Sequence, residues 1–362
     1  MIKDKERNKM KLESTEALLQ KILEKRTFDT YALLVHCKGE EKLFFSDNAD
    51  GYTYFDVASM GKVLVASTLV LQAIGKGLLS LDDTIDKFFD AGDEIKNRIT
   101  VKQMLTHTSG IQRKPLSEEA VAAGRDGIAA RILSYPLLFT PGTNCKYSCN
   151  AFILLGLILE KIYGKTLEEI YTENLARPLG FERTSFEIAL DEPNAALCYR
   201  WKDTPKQRYD SDRVLMMGKP AGSGGQQSCL FDIQKFIKAI LKKSDILYPE
   251  ELFSAAETNY TSEYSESRGL GYVYVDKKCE NTGDLFPDGS FGHAGSTGQC
   301  FYINREEDLY VILLTNACRC SYINSNFEKK DWSTIYAPVI KMRSDIHNAI
   351  RADLCAEGLL HI

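Results

Sequence analysis

No run of about 18 uninterrupted apolar residues occurs in the 362-residue chain, so its sequence holds no segment built to cross a bilayer as a helix. No internal repeat and no low-complexity tract is present, which excludes solenoid and linker-like organisation. The 45 basic residues are scattered rather than gathered into a stripe, and the net charge is −5, so nucleic acid is not expected as a partner. Ten cysteines are spread along the chain without one C-x-x-C pair. Such unpatterned thiols suit a reducing cytosol better than a disulfide framework, and all ten are expected reduced. Cys318-Arg319-Cys320 has no histidine nearby at ligand spacing, so it reads as free thiols and no metal or cofactor is expected. The charged stretch Met1-Ile2-Lys3-Asp4-Lys5-Glu6-Arg7 is not followed by the apolar core of a signal peptide, and the expected location is cytoplasmic.

What is present is ordinary for a globular enzyme: 44% hydrophobic and 26% charged residues. The length predicts one large domain with an inserted lobe, or two lobes sharing a cleft. Residues 8 to 25 read as an amphipathic helix. Tyr31 to His36 and Lys42 to Phe45 read as strands joined by a turn at Lys38-Gly39-Glu40. Thr100-x-x-Gln103 and Thr166-x-x-Glu169 are capping boxes that open short helices, and Phe152 to Leu159 reads as a buried helix closed by Gly164. The segment 210 to 228 is a long glycine-containing loop of the kind often used functionally. A helix follows it, with Ile233, Phe236, Ile237, Ile240 and Leu241 on one face. Phe291 to Thr315 reads as a strand, a close backbone approach at glycines, and an antiparallel pair, and residues 332 to 354 read as a terminal helix covering the sheet.

The stretch Phe55-Asp56-Val57-Ala58-Ser59-Met60-Gly61-Lys62 runs into the apolar segment Val63 to Leu71. On a helix beginning near Ser59, the Ser59 hydroxyl and the Lys62 amine share one face, roughly 5–6 Å apart at Cβ. The apolar surroundings predict a buried lysine, and burial disfavours the ammonium form, so Lys62 could accept or relay the serine proton. S-x-x-K by itself is weak, because most copies are a solvated pair on a surface helix. His107, in Thr106-His107-Thr108-Ser109-Gly110, could act as a base, but such a turn more readily uses a histidine to bond its own backbone. Tyr147 in Lys146-Tyr147-Ser148-Cys149-Asn150 reads from the residues alone as a core aromatic. His293, beside Gly292 and Gly295, reads equally as a strand-end histidine or a site residue.

Taken together, Ser59-x-x-Lys62, Leu105 to Gly110, Tyr147-Ser148-Cys149, Pro178-Leu179-Gly180 and His293-Ala294-Gly295 resemble the serine beta-lactamase and penicillin-binding-protein superfamily. The resemblance spans roughly residues 30 to 317 and lies with the branch of class C beta-lactamases, DD-carboxypeptidases, D-aminopeptidases and related esterases. It implies an α+β fold: an antiparallel sheet flanked by helices, with a sheet lobe from residues 1–58 and 265–362 and a mostly helical lobe over 59–264. It further implies Ser59 as acylated nucleophile, Lys62 as the group that deprotonates it, and Tyr147 as a second proton-transfer group whose pKa a neighbouring ammonium would lower. The backbone N–H groups of Ser59 and Ser296 would form an oxyanion hole, and His293, with Gly295 and Ser296 after it, would line the substrate site by binding a carboxylate or steering Tyr147. Cys149 stands where the family's tyrosine motif usually has asparagine, and His293 where many relatives have lysine. A thiol is a weak hydrogen-bonding group, so both departures argue against an efficient beta-lactamase. Asn150 cannot substitute, since its side chain points about 100° away on a helix start.

The expected activity is therefore a serine hydrolase acting through an acyl-enzyme on a small-molecule ester or peptide-like amide. The alternatives are a non-catalytic or penicillin-binding protein of the same fold, or a true class C-like beta-lactamase. Oligomeric state is not legible.

Overall fold

The computed structural model describes residues 10–189, 191–197, 222–324 and 332–361. Its centre is a six-stranded sheet in the order β2-β1-β8-β7-β6-β5, with every neighbouring pair antiparallel. The strands are β1 (Tyr31–Cys37), β2 (Glu40–Phe45), β5 (Val273–Tyr274), β6 (Phe291–Ala294), β7 (Cys300–Asn304) and β8 (Leu309–Thr315). β3 (Phe55–Asp56) and β4 (Gln227–Ser228) form a separate antiparallel pair. Both ends of the chain thus feed one sheet, because β1 lies directly against β8 with Leu33 opposite Leu313.

The strand sequences explain why both faces of the sheet are covered. Side chains alternate across a strand, so a continuous apolar run supplies two buried faces. Leu34, Phe301, Ile303, Ile312 and Leu314 point into one core, while Leu33, Val35, Tyr302, Val311 and Leu313 point into the other. The second core is closed by two helices, Glu13–Glu24 and Trp332–Ala356, which contribute Leu19 and Ile22, and Val339, Ile346 and Ile350. The first core is closed by the apolar segment after Ser59, by the helix Cys149–Tyr163 and by Leu230–Leu241.

Local signals act where the sequence places them. Lys38 and Gly39 both take positive φ, 50° and 83°, the geometry of a two-residue hairpin turn, and pairing extends to Cys37 opposite Glu40. Thr100 and Thr166 each close a reciprocal capping box with Gln103 and Glu169. Gly164 ends the Cys149 helix in the left-handed region.

One expectation is modified, and another falls mostly outside the described residues. The Ser59 helix is not regular: a 3-10 turn over Ala58–Met60 is followed by π-helix over Lys62–Ser67, and α-helix begins at Thr68 and ends at Gly75. The whole Ala58–Gly75 segment is apolar and long enough to cross a membrane, yet 83% of it is buried within the fold. Of the segment 210 to 228, residues 210–221 lie outside the described residues, as does Cys198, and the remainder ends in β4. The nine described cysteines are all free.

Candidate active site

Ser59 sits at the point where the chain leaves β3 and enters the apolar segment. Ala58 before it holds φ of 46°, a left-handed conformation that a non-glycine residue adopts only under constraint. The constraint is visible on three sides. Asp56 Oδ1 accepts the Ala58 N–H at 2.8 Å, the Val57 N–H donates to Gln226 O at 3.1 Å, and a methyl group on Gly224 would come within 3.1 Å of Ala58 O. The serine is thereby presented half-buried at the floor of a cavity of about 530 Å3.

Lys62 is fully buried, and its Nζ donates to Ser59 Oγ at 3.1 Å and to Ser223 O at 2.9 Å. Tyr147 reaches the same oxygen from the loop before the Cys149 helix, its hydroxyl donating to Ser59 Oγ at 2.6 Å. Sequence positions 59 and 147 therefore meet within direct hydrogen-bond reach. Three cations face the Tyr147 ring: Lys62 Nζ at 4.9 Å, Arg268 at 5.5 Å and Arg113 at 6.0 Å from its centre. Arg268 is paired with Glu266, whereas Arg113 is exposed and has no carboxylate partner among the described residues.

The expected lowering of the Tyr147 pKa is corrected. Burial, and next the nearby Cys149 thiol, push the phenol well above its ordinary value, while the bond to Ser59 and the Arg113 charge pull the other way. The resting group is a neutral phenol. Cys149 itself is buried and does not line the cavity; its Sγ lies 3.8 Å from the Tyr147 hydroxyl. Asn150 turns away as its helical position requires, its amide donating to Gln112 O and Lys114 O.

His293, on β6, lines the cavity and is buried. Its Nδ1 lies 2.8 Å from Ala294 O, so Nδ1 carries the proton, and Nε2 is buried with no partner among the described residues. Burial first, then the charges of Arg268 and Lys62, hold the imidazole pKa well below its ordinary value. A neutral ring with only a lone pair to offer cannot bind a carboxylate, which corrects that part of the expectation. Arg113, Lys146 and Lys278 are cationic side chains exposed at the cavity.

His107 braces the tyrosine loop. Its Nδ1 accepts the Ser148 N–H at 3.2 Å, and its ring centre lies 4.8 Å from that of Tyr147 and 5.0 Å from that of Phe152. The bond goes to the facing loop rather than to its own turn. Burial, followed by nearby positive charge, lowers its pKa well below the usual histidine value.

Gly295 permits the approach of the β6–β7 turn to the nucleophile. A Cβ there would meet Val57 O at 2.7 Å and Ala58 Cβ at 3.1 Å. Thr297 Oγ1 donates to Asp56 O at 2.9 Å and latches the same turn. Ser296, which lines the cavity with Ser59, has a backbone N–H without an acceptor among the described residues. Asp56, Ser223, Thr297 and Arg113 were not singled out from sequence. Asp56 and Thr297 adjoin recognised motifs, but Ser223 and Arg113 carry no local signal.

A protein of Escherichia coli O157:H7, assigned by name alone to the D-alanyl-D-alanine carboxypeptidases, is 26% identical over 306 residues, covering 73% of this chain and 69% of that protein. The monacolin J acid methylbutanoyltransferase of Aspergillus terreus is 31% identical over 217 residues, covering 51% of this chain and 52% of that protein. Among solved structures, EstCE1, described as a hydrolase with promiscuous acyltransferase activity, superposes with a TM-score of 0.68 at 17% identity, over 92% of this chain and 98% of that one. The family model named Beta-lactamase matches residues 16–318, which include Ser59, Lys62, Tyr147 and His293, and the chain belongs to the beta-lactamase family.

Proposed function

We propose that this hydrolase uses Ser59 as nucleophile in a two-step acyl transfer to water, with an ester or a peptide-like amide as substrate. The observation that carries the reading is the convergence of Lys62 Nζ and Tyr147 Oη on one oxygen, Ser59 Oγ, at 3.1 and 2.6 Å in an open cavity. A nucleophile within reach of two proton-handling groups is the arrangement that acyl-enzyme chemistry needs.

Acylation starts once the Lys62 ammonium has released a proton to solvent: Ser59 Oγ attacks the substrate carbonyl carbon, and its proton passes to the resulting Lys62 amine. The neutral Tyr147 phenol protonates the departing oxygen or nitrogen, and the Lys62 ammonium then returns a proton to the phenolate. Deacylation reverses the path, with water in place of the leaving group. The charge that develops on the carbonyl oxygen falls between the N–H groups of Ser59 and Ser296. Each donor in such a hole is worth about 2.7–4 kcal/mol in comparable enzymes. The neutral His293 contributes an acceptor at Nε2 and steers rather than charges the site.

Cys149, beside the Tyr147 hydroxyl and off the cavity wall, leaves the site without an amide at that position to bind an acyl-amide carbonyl, which favours esters over beta-lactams. The transferase relatives support acceptors other than water as a second acyl destination. The test is a fluorophosphonate adduct mapped by mass spectrometry. Labelling at Ser59, lost in Ser59→Ala together with aryl-ester turnover, is the expected result. An adduct elsewhere, or undiminished turnover in Ser59→Ala, overturns the reading.

A further inference from the structure

We propose that Arg343, on the C-terminal helix and outside the cavity lining, is a positioning residue for the oxyanion hole: it sets the plane of the Gly295–Ser296 peptide so that the Ser296 N–H faces Ser59. This inference rests on the acyl-transfer reading above.

Arg343 is fully buried, and its Nη1 donates to Gly295 O at 2.8 Å and to Gln299 O at 3.3 Å, while Nη2 donates to Tyr336 Oη at 2.7 Å. No carboxylate pairs with it among the described residues, and its Nε is buried without an acceptor. Burying a guanidinium against two carbonyls and a phenol oxygen, none of them charged, is costly, and a methionine or leucine would pack the same helix against the sheet without that cost. The geometry of the acceptor gives the charge a purpose. Gly295 C=O and Ser296 N–H belong to one peptide unit, and in a trans peptide these two groups point in opposite directions. A carbonyl pinned toward Arg343 therefore turns the N–H away from the helix, toward the side where Ser296 and Ser59 line the cavity. The close seat of Gly295 on Val57 O and Ala58 Cβ brings that N–H beside the nucleophile. A charge-assisted bond to the carbonyl also polarises the peptide and strengthens its N–H as a donor. The other ties on this turn are Gly295 N–H to Gln299 O at 2.7 Å and Gly298 N–H to Gly295 O at 3.2 Å. Neither carries a charge.

The test uses the full chain with Arg343→Met, Arg343→Lys and Tyr336→Phe. Each is assayed for kcat and KM on an aryl ester, and for affinity toward phenylboronic acid, whose tetrahedral serine adduct places an oxygen in the hole. Arg343→Met should lower kcat on the order of ten- to a hundredfold and weaken the boronate by a similar factor, with KM within about twofold, since the loss is in oxyanion stabilisation. Arg343→Lys, which keeps the charge, should recover at least part of both. A raised KM with unchanged kcat, or lost kcat with unchanged boronate affinity, overturns the proposal. Should the Arg343 variants not fold, Tyr336→Phe decides: it frees one arm of the guanidinium at constant charge, and since Tyr336 also lines the cavity, only a loss of kcat and boronate affinity at unchanged KM supports the proposal, whereas a raised KM or unchanged kcat and boronate affinity overturns it. Ser59→Ala separates the two levels. An inactive Ser59→Ala beside a fully active Arg343→Met removes only this inference, whereas an active Ser59→Ala removes the acyl-transfer reading and the inference with it.

Discussion

The Tyr147 hydroxyl donates to Ser59 Oγ at 2.6 Å, joining residues 88 positions apart in sequence, and burial keeps that hydroxyl protonated. A neutral phenol bonded to the nucleophile is poised to give a proton, so its loss should be felt most where the leaving group is poor. Tyr147→Phe is expected to lower kcat on an anilide on the order of 100- to 10,000-fold, as for loss of a general acid. An activated aryl ester, whose leaving group departs unprotonated, should lose far less. Steady-state kinetics on the two substrates check this, and equal losses on both exclude Tyr147 as the acid.

Cys149 bears on the same hydroxyl, with Sγ 3.8 Å from Tyr147 Oη. Cys149→Asn should raise turnover of amides or beta-lactams relative to short-chain esters by roughly two- to tenfold, the worth of one neutral hydrogen bond made in the transition state. The ratio of kcat/KM values for a cephalosporin and a short-chain aryl ester is the readout. An unchanged ratio, or a wild-type preference for the cephalosporin, removes Cys149 from the account of specificity.

Gly295 leaves no room for a side chain, since a Cβ would stand 2.7 Å from Val57 O. Gly295→Ala should push the β6–β7 turn away from Ser59 and cost activity on the order of 100-fold, as for a misplacement of about 1 Å in a preorganised site. Circular dichroism and melting should show a folded protein with lost kcat. Full activity would mean that the turn does not set the site.

Arg113 stands at the cavity with its charge unmatched by a carboxylate among the described residues. Arg113→Ala should raise KM for an ester bearing a free carboxylate by about two- to fivefold at low salt, the scale of an exposed ion pair, and leave a neutral ester unaffected. Equal effects on both substrates would assign Arg113 a packing role.

Three buried histidines make stability depend on pH. Burial lowers His107 and His293 well below the ordinary value, and lowers His347 to about 4. Below pH 6.5 the unfolded chain binds protons that the folded chain refuses. Their contribution is thus complete above the unfolded pKa and is lost as the pH falls toward each folded pKa. For His347 the interval of 6.5 − 4 = 2.5 units corresponds to about 3 kcal/mol at 1.36 kcal/mol per unit. The melting temperature should fall between pH 6.5 and 4, and His347→Phe, placed between Phe286 and Tyr302, should fall less steeply. Parallel curves for variant and wild type would exclude His347 as a contributor.

Patterns with a short range were legible in the sequence. The hairpin at Lys38-Gly39, the capping boxes at Thr100 and Thr166 and the stop at Gly164 depend on neighbours within four residues, so their physics is written locally. Ser59 and Lys62 likewise share a face, because the 3-10 turn that joins them brings the chain round once in three residues. Only the tertiary structure decided the protonation states and the supporting contacts. Tyr147 stands above its ordinary pKa and His293 below because burial and charge at a point sum over Cys149, Arg113, Arg268 and Lys62, which are scattered along the chain. Arg343 acquires its partner 48 positions away through the packing of one helix on one sheet. No spacing rule reports such a contact, since the electrostatic environment of a side chain is a property of the folded volume around it and not of its neighbours in sequence.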